Sequence, residues 1–357
     1  MSRIWLVLGI AGLLLVSCRR ASLAPACCPA PPPGKAVVNA DQTVIIVWDA
    51  AHKTEHFIRK ASFKGDAADF GFLVPTPAQP ELEESGSEVF SFLAKLTAPA
   101  KEVRPRPEHC SICCGEEVKS TKKSEVSVLA EKSVAGFHAV VLQTKSSDAL
   151  AQWLKEHGYA FSPEVQTWAK PYVEAGWKIT ALRVEKDKRA ADDARVATPA
   201  LRMTFKTDRP LFPYREPDPK AFAQTLSAQK RLLRIFFLAE ARYRGEIVHS
   251  TWSGNIAWAN RLSPENRTET LRLLKIKDVD QSAGNWLTEF EDDWTYVAAP
   301  DDVTFFPDYN QGTITREPII EYTASPWPTD PTAYALVALV VAPRLVRRFR
   351  RGKVRDL

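Results

Sequence analysis

Residues 136–184 are GFHAVVLQTKSSDALAQWLKEHGYAFSPEVQTWAKPYVEAGWKITALRV, a stretch in which two strand patterns flank two helix patterns. Apolar and β-branched residues predict strands from Gly136 to Gln143 and from Trp177 to Val184. Between them we predict one helix from Asp148 to His157 and a second from Pro163 to about Gly176. The segment therefore predicts a compact strand–helix–helix–strand module.

The residues that flank these two helices support their boundaries. Ser146 or Ser147 can cap the first helix, and Gly158 can end it. Ser162 precedes Pro163, and proline is favoured at the first position of a helix because its missing N–H costs nothing there.

The rest of the chain contains more strand patterns than helix patterns. We predict an opening meander of three strands, three further strands and one helix. The strands are Gln42–Asp49, Thr54–Lys64, Ala68–Pro75, Glu125–Leu129, Leu201–Phe205 and Arg231–Ala239, and the helix is Glu88–Leu96. Residues 98–124 predict a loop, and residues 240–310 have a less regular pattern. The expected fold class is α+β, a β-rich mixed sheet with the strand–helix–helix–strand module and long loops.

The N-terminus has the pattern of a bacterial lipoprotein signal. Arg3 precedes an apolar run from Ile4 to Val16, and Leu15-Val16-Ser17-Cys18 is typical of a lipobox whose cysteine is acylated. The run is too short to span a bilayer core of about 30 Å. Two alternatives are an uncleaved anchor helix and ordinary cleavage after Ala26. Arg19 favours outer-membrane sorting by default, and we expect the body to lie outside the cytoplasm, periplasmic or on the outer-membrane face.

These patterns divide the chain into five parts. They are a signal peptide with its lipobox (1–18), a Pro/Cys-rich tether (19–40), an α+β domain (41–310), a linker (311–332), and an apolar segment with a basic tail (333–357). The apolar run from Ala333 is short for a membrane span, but seven basic residues follow it, as at a positive-inside end. A membrane-inserted tail and a short helix on anionic head groups both remain open.

Charge and cysteine content narrow the function classes. The net charge of +5 comes from the two ends, because residues 21–343 hold more acidic than basic side chains, so we expect no nucleic-acid partner. Once Cys18 is acylated, five cysteines remain: Cys27, Cys28, Cys110, Cys113 and Cys114. In an oxidising envelope these favour disulfides, with the Cys27-Cys28 arm tied to the Cys110–Cys114 loop. A metal or thiol-redox site at His109, Cys110 and Cys113 is the alternative, although a second pair of ligands is missing.

Other constellations give weak signals for chemistry. His52 and His56 lie four residues apart on a predicted turn and strand, where they need not share a face. The acidic groups Asp66/Asp69 and Glu289/Glu291/Asp292/Asp293 do not match a calcium loop, and solvated faces or turn caps are the simpler interpretation. No nucleophile elbow, phosphate loop or dinucleotide fingerprint occurs, so neither catalytic residues nor a cofactor is predicted.

Four tryptophans in the less regular part, Trp252, Trp258, Trp286 and Trp294, allow two interpretations. They can line a groove for glycan or peptide, or they can pack under long loops. Packing is the simpler interpretation, because most large aromatic side chains belong to the core.

Three segments resemble a bacterial family known as domain of unknown function 2330. They are Gly65-Asp-Ala-Ala-Asp-Phe-Gly-Phe-Leu-Val-Pro-Thr-Pro77, residues 147–182 with Pro171-Tyr-Val173 and Gly176-Trp177, and Pro199-Ala-Leu-Arg-Met-Thr-Phe205 with Pro210 and Pro213. The resemblance implies an exported, membrane-associated bacterial protein and supplies no catalytic residues. The chain departs from the family pattern at the Cys110–Cys114 loop and in its short tail.

Together these observations predict an envelope lipoprotein that acts as a non-enzymatic binding or structural component. Its expected partners are the membrane, through the lipid and the tail, and an envelope protein or glycan. The alternative is an enzyme, or a metal or thiol-redox protein that uses the His109–Cys114 cluster.

Overall fold

A computed structural model describes the larger part of the chain. It covers residues 28–30, 37–39, 41–60, 62–65, 71–105, 128–157, 159, 163–184, 195–197, 200–217, 230–248, 252–276, 284–295 and 301–323.

The largest sheet is mixed and has seven strands in the order β17-β18-β15-β3-β4-β13-β7. The strands are β3 (Gln42–Asp49), β4 (Thr54–Lys60), β7 (Glu81–Ser85), β13 (Ala200–Lys206), β15 (Lys230–Ala239), β17 (Asn255–Arg261) and β18 (Trp286–Thr295). The central pair, β15 and β3, is parallel, and all other pairs are antiparallel. The β3 sequence is apolar on both faces, as a strand covered on both sides requires.

A second sheet has five antiparallel strands in the order β1-β6-β11-β10-β9. The strands are β1 (Cys28–Ala30), β6 (Gly71–Thr76), β9 (Val128–Val134), β10 (Phe137–Leu142) and β11 (Lys178–Val184). A third sheet, ordered β14-β19-β16, contains β14 (Leu211–Phe212), β16 (Tyr243–Ile247) and β19 (Val303–Pro307).

Two smaller sheets complete the strands that the structure describes. One contains β2 (Val37–Asn39), β5 (Ser62–Gly65) and β12 (Arg195–Ala197), and the other is a parallel pair of β8 (Lys101–Pro105) and β20 (Ile319–Thr323).

The helices of the described chain are α1 (Glu88–Leu96), α2 (Ser147–Glu156), α3 (Pro163–Glu174) and α4 (Pro264–Leu273). Helices α1 and α4 cover one face of the seven-stranded sheet, where Val89, Leu93 and Leu271 join a core with Ile45 and Ile58. Helices α2 and α3 cover the outer face of the five-stranded sheet. The remaining core lies between the seven-stranded sheet on one side and the five-stranded and third sheets on the other. The result is a four-layer α/β/β/α arrangement.

The predicted fold class is confirmed, as are the module and the local elements within it. Helix α1 has the predicted bounds, and α2 begins after Ser146, whose side chain accepts from the Ala149 N–H at 3.1 Å. Strands β10 and β11 pair directly, so the two helices bridge neighbouring strands.

Other predictions of local structure were wrong. The three opening strands do not form one meander, because β6 joins the second sheet rather than β4. The predicted strand Thr54–Lys64 is divided between β4 and β5, which belong to different sheets. Residues 240–310 contain four strands and α4 instead of irregular structure, and β8 lies inside the predicted 98–124 loop.

Candidate functional site

An open cleft of about 680 Å³ lies where the three larger sheets meet. It is formed by the β3–β4 turn, the end of β13 and the turn after it, the residues next to β6 and β11, and the third sheet. Its lining residues are His52, Lys53, Pro77, Trp177, Lys206, Thr207, Asp208, Arg209, Leu211, Val248, Thr304 and Phe306.

Asp49 shapes the β3–β4 turn at one wall of the cleft. Its carboxylate accepts from the His52 backbone N–H at 3.0 Å, and its other oxygen lies 2.7 Å from His52 Nδ1. Burial opposes ionisation of Asp49, but the hydrogen bonds from His52 hold its pKa below the usual value. Lys53 completes the turn with a φ of 47°. The turn therefore fixes the imidazole and the ammonium beside the cleft.

Cationic side chains outnumber anionic ones in the cleft lining. Lys53 pairs with Asp208 at 2.7 Å, and both side chains are exposed. Lys206 Nζ donates to the His52 carbonyl at 2.8 Å and to Thr54 Oγ1 at 2.7 Å. Since Arg209 adds a third permanent cation, the lining carries three such charges against the single carboxylate of Asp208. This excess attracts anions.

Aromatic and aliphatic side chains also line the cleft, among them Phe306 and Val248. The Arg209 guanidinium lies 5.1 Å from the centre of the Phe306 ring, and that of Arg244 lies 5.8 Å from the same ring. Arg244 also stands 4.6 Å from the ring of Tyr309, which is 92% exposed. Val248, which is 51% exposed, is another of the four exposed large hydrophobic residues among those the structure describes. The cleft thus combines cations with apolar surface.

The buried carboxyl group of Glu55 lies behind the cleft. Glu55 is fully buried and accepts from the N–H of Leu211, a lining residue, at 2.9 Å. Burial raises the pKa of Glu55 well above its usual value. Its other oxygen has no hydrogen-bond partner among the described residues. Glu55 therefore supports the cleft residue Leu211 from within the core.

For two members of the acidic group on β18, the interpretation as solvated faces or turn caps is wrong. Glu289 and Asp292 are each 1% exposed. Glu289 Oε1 forms ion pairs with Arg234 at 2.8 Å and with Arg316 at 2.9 Å. Asp292 accepts hydrogen bonds from distant residues, and Glu289 forms core ion pairs while its Oε2 has no hydrogen-bond partner among the described residues.

His52 and His56 lie in different environments and do not share a site. His52 lies at the cleft, whereas His56 Nδ1 lies 3.0 Å from Thr204 Oγ1 in a part-buried site. Burial lowers the pKa of His56 to about 4, so this imidazole is neutral at physiological pH.

Three of the four tryptophans pack as the simpler interpretation predicts. Trp252 and Trp286 are 7% and 3% exposed, and Trp252 Nε1 donates to Asp292 at 2.9 Å. Trp258 is half-buried against the α1/α4 layer, and the side chain of Trp294 lies outside the described part.

Most of the predicted site residues lie outside the part that the structure describes. These are Cys18, Cys27, His109, Cys110, Cys113 and Cys114, together with Asp66, Asp69 and the tail 333–357. The backbone of Cys28 is described and begins β1. Within the described ranges, no group of three or more His, Cys, Asp or Glu side chains could hold a metal ion. No helix of those ranges is long and apolar enough to cross a bilayer.

Sequence reasoning missed the cleft because its cations come from distant parts of the chain. Lys53 follows β3, whereas Lys206 ends β13 and Arg209 lies three residues further on, before β14. A basic residue at each of several strand ends was the only signal, and it becomes informative only when the strand order is known.

The described residues define a class: a four-layer α+β protein with a cationic, aromatic-lined cleft between its sheets. The model of a family described as an uncharacterized protein conserved in bacteria (DUF2330) matches residues 22–306, and the chain belongs to this family. The resemblance predicted from the sequence is thereby confirmed. No curated protein and no solved structure matches the chain.

Proposed function

We propose that this protein is a lipoprotein of the bacterial envelope that binds an anionic ligand in its cleft without chemical turnover. The body is held outside the cytoplasm by acyl chains on Cys18. The observation that carries the proposal is the cleft of about 680 Å³, whose lining has three permanent cations against one carboxylate.

The volume and composition of the cleft support binding. A space of 300–1,000 Å³ with apolar walls and a few placed polar groups is typical of sites for small molecules. Trp177 and Phe306 supply apolar walls, while Lys206 and Arg209 supply charge. Guanidinium and ammonium groups form strong charge-assisted hydrogen bonds with carboxylates and phosphates.

The N-terminal sequence supports the location. The order Arg3, an apolar run, Ser17 and Cys18 is that of a processed lipoprotein signal. Membership in a bacterial family agrees with this machinery. The residue after the lipidated cysteine, Arg19, favours sorting of the lipoprotein to the outer membrane.

Two measurements test this proposal separately. Metabolic labelling with an alkyne fatty acid should tag the wild-type protein and fail to tag Cys18→Ser. If Cys18→Ser is labelled equally, the lipid does not lie at Cys18 and the anchoring part of the proposal is wrong.

Calorimetric titration of the full-length protein with glycerol 3-phosphate, a soluble phosphomonoester, tests the cleft. The wild type should bind the probe, and Lys206→Gln/Arg209→Gln should weaken binding at least tenfold, because two charge-assisted contacts are lost. Lys95→Gln/Lys170→Gln changes the net charge equally at exposed positions on α1 and α3 that do not line the cleft, and should bind like the wild type. Equal binding by both variants, or none by the wild type, would contradict an anionic-ligand site.

A further inference from the structure

We infer that the cleft faces the bilayer and receives the phosphate of an anionic phospholipid from the membrane that holds the acyl chains of Cys18. This inference rests on the proposed lipid attachment and anion binding, and it identifies the ligand class.

The first argument is the position of the tether relative to the cleft. Ten residues separate Cys18 from Cys28, so the described body begins at most about 36 Å of extended chain from the lipid. Cys28 pairs with Leu73 on β6, and Ala30 pairs with Gly71. Because β6 runs from Gly71 toward Pro77, the first residue of β1 is the one nearer to the cleft. The chain thus enters the second sheet from its cleft side.

A short distance separates this entry point from the lining. Leu73 and Pro77 are four residues apart along an extended chain, or about 13 Å. Cys28 therefore lies about 13 Å along the sheet from the cleft lining, and a body held to the membrane by its N-terminus has the cleft within reach of the head groups.

The second argument is the chemistry of the cleft rim. Surfaces that rest on membranes combine exposed aromatic and aliphatic side chains with Lys and Arg, which bind the head-group phosphates. Val248 lines the cleft and is 51% exposed, and Tyr309, which is 92% exposed, lies next to Arg244, itself 5.8 Å from the ring of the lining residue Phe306. Arg244 stands over Tyr309, at 4.6 Å, on a strand that pairs with the strand carrying Phe306.

Charge complementarity favours a lipid over a neutral occupant. Each Lys or Arg close to an anionic membrane surface strengthens binding by roughly fivefold. Lys53, Lys206 and Arg209 stand together, and Arg209 can give a phosphate two parallel N–H donors. The Lys53–Asp208 pair at 2.7 Å is solvent-exposed, so an incoming phosphate can compete with Asp208 for the ammonium.

Lysine footprinting on the full-length acylated protein in vesicles tests this placement. One set of vesicles is pure phosphatidylcholine, and the other contains 30% phosphatidylglycerol. A membrane-impermeant amine reagent should modify Lys53 and Lys206 at least fivefold more slowly in the anionic vesicles. Lys95 on α1 and Lys170 on α3 should change by less than twofold. High salt should remove the difference, because it screens the attraction.

Two variants assign any protection to the cleft. In Arg209→Gln/Arg244→Gln, Lys53 should be modified at the same rate in both kinds of vesicle. Lys95→Gln/Lys170→Gln should keep the protection. Both variants retain the basic tail, so binding of the tail to the membrane cannot account for a difference between them.

The outcomes separate this inference from the proposed function. If glycerol 3-phosphate protects Lys53 and Lys206 but anionic vesicles do not, the cleft takes a soluble anion; the lipid inference fails and the proposed function stands. Uniform protection of all four lysines would mean non-specific adsorption and would also overturn the inference. If neither vesicles nor glycerol 3-phosphate protects the cleft, both proposals fail.

Discussion

Tyr172 donates a 2.8 Å hydrogen bond to Asp302 and so joins helix α3 to the residue that precedes β19. Arg215 strengthens this junction, because its backbone N–H donates to the same carboxylate oxygen at 3.1 Å and its guanidinium pairs with Asp301. Trp168 on α3 donates to the Arg215 carbonyl at 2.8 Å. The strand–helix–helix–strand module is therefore fixed to the third sheet by polar contacts around one carboxyl group.

The Asp302 carboxyl should make the stability of the protein depend on pH. Burial, with a smaller contribution from Asp301, raises its pKa from 3.8 to about 6. Because the pKa is raised in the folded protein, the protonated Asp302 carboxyl contributes to stability. This stabilisation is complete below about pH 4 and is lost as the pH rises through about 6. This pKa shift corresponds to at most about 3 kcal/mol in the free energy of unfolding. We expect Asp302→Asn, whose amide oxygen can accept both bonds, to be at least as stable as wild type at pH 7.5.

Urea unfolding at pH 4.5 and 7.5 checks this expectation. The wild type should lose more free energy of unfolding over that interval than Asp302→Asn does. Asp293→Asn, at a side chain that is 68% exposed, should keep the wild-type pH dependence. Parallel pH profiles for wild type and Asp302→Asn would show that Asp302 is not the responsible group.

Asp292 should be essential to the core for a different reason. Its carboxylate accepts from Tyr214 at 2.7 Å, from Trp252 Nε1 at 2.9 Å and from Ser253 at 2.7 Å. Asp292→Ala leaves three donors without this acceptor, at a cost of about 3–5 kcal/mol. Asp292→Asn keeps one carbonyl oxygen and should cost about 1 kcal/mol.

The free energy of unfolding, followed by tryptophan fluorescence in urea, measures this difference. Asp293→Ala is the matched control, because the neighbouring carboxylate is exposed and lies 3.9 Å from Lys230. It should change stability by less than about 0.5 kcal/mol. If Asp292→Ala were as mild as its control, the carboxylate would not hold these three donors together.

The contrast between Asp292 and Asp293 also explains what the sequence could predict. The apolar periodicity of α1, and both the periodicity and the Ser146 cap of α2, lie within about a dozen residues, so local patterns are enough to place these helices. Two adjacent aspartates on β18 give no local sign that one is buried, because its partners lie up to 78 residues away. Burial of such a group is decided by tertiary hydrogen bonds.

Sheet membership was unpredictable for a related reason. Leu73 packs against the α2/α3 layer, while Phe72 and Val74 face the core between the sheets. An apolar run of this kind predicts a strand covered on both faces but does not say which strands will be its neighbours. The cleft depends on that arrangement, so it could not be predicted either.

Arg316 should hold the C-terminal described segment to the large sheet. Its guanidinium donates to Glu291 at 2.8 Å and to the Thr97 carbonyl at 3.1 Å, and it lies 2.9 Å from Glu289. Glu289 keeps Arg234 at 2.8 Å when Arg316 is removed, so the core carboxylate is not left alone. Arg316→Ala should therefore loosen β20 without unfolding the protein.

Hydrogen exchange at the Ile319 amide reports this loosening, because that amide donates to the Ala100 carbonyl at 2.8 Å. We expect exchange to speed up about tenfold or more in Arg316→Ala, as a loss of about 1.5–3 kcal/mol implies. Arg272→Ala breaks an exposed pair with Glu269 on α4 and should leave the Ile319 rate unchanged. An unchanged rate in Arg316→Ala would mean that strand pairing with β8 alone retains β20.

Gly245 should be intolerant of any side chain, because β16 passes directly over the ring of Trp252. A Cβ at this position would lie 2.4 Å from Trp252 Cζ3 and 2.9 Å from Val303 Cγ1. Both neighbours are buried, so Gly245→Ala should cost about 3 kcal/mol through overpacking and shift the Trp252 fluorescence. Gly176 has a φ of 73° and open space around its Cβ position, so Gly176→Ala should cost only the strain of the left-handed backbone, about 1 kcal/mol. Urea unfolding of the two variants compares steric and conformational costs in one protein, and equal losses would rule out the close approach of β16 to Trp252.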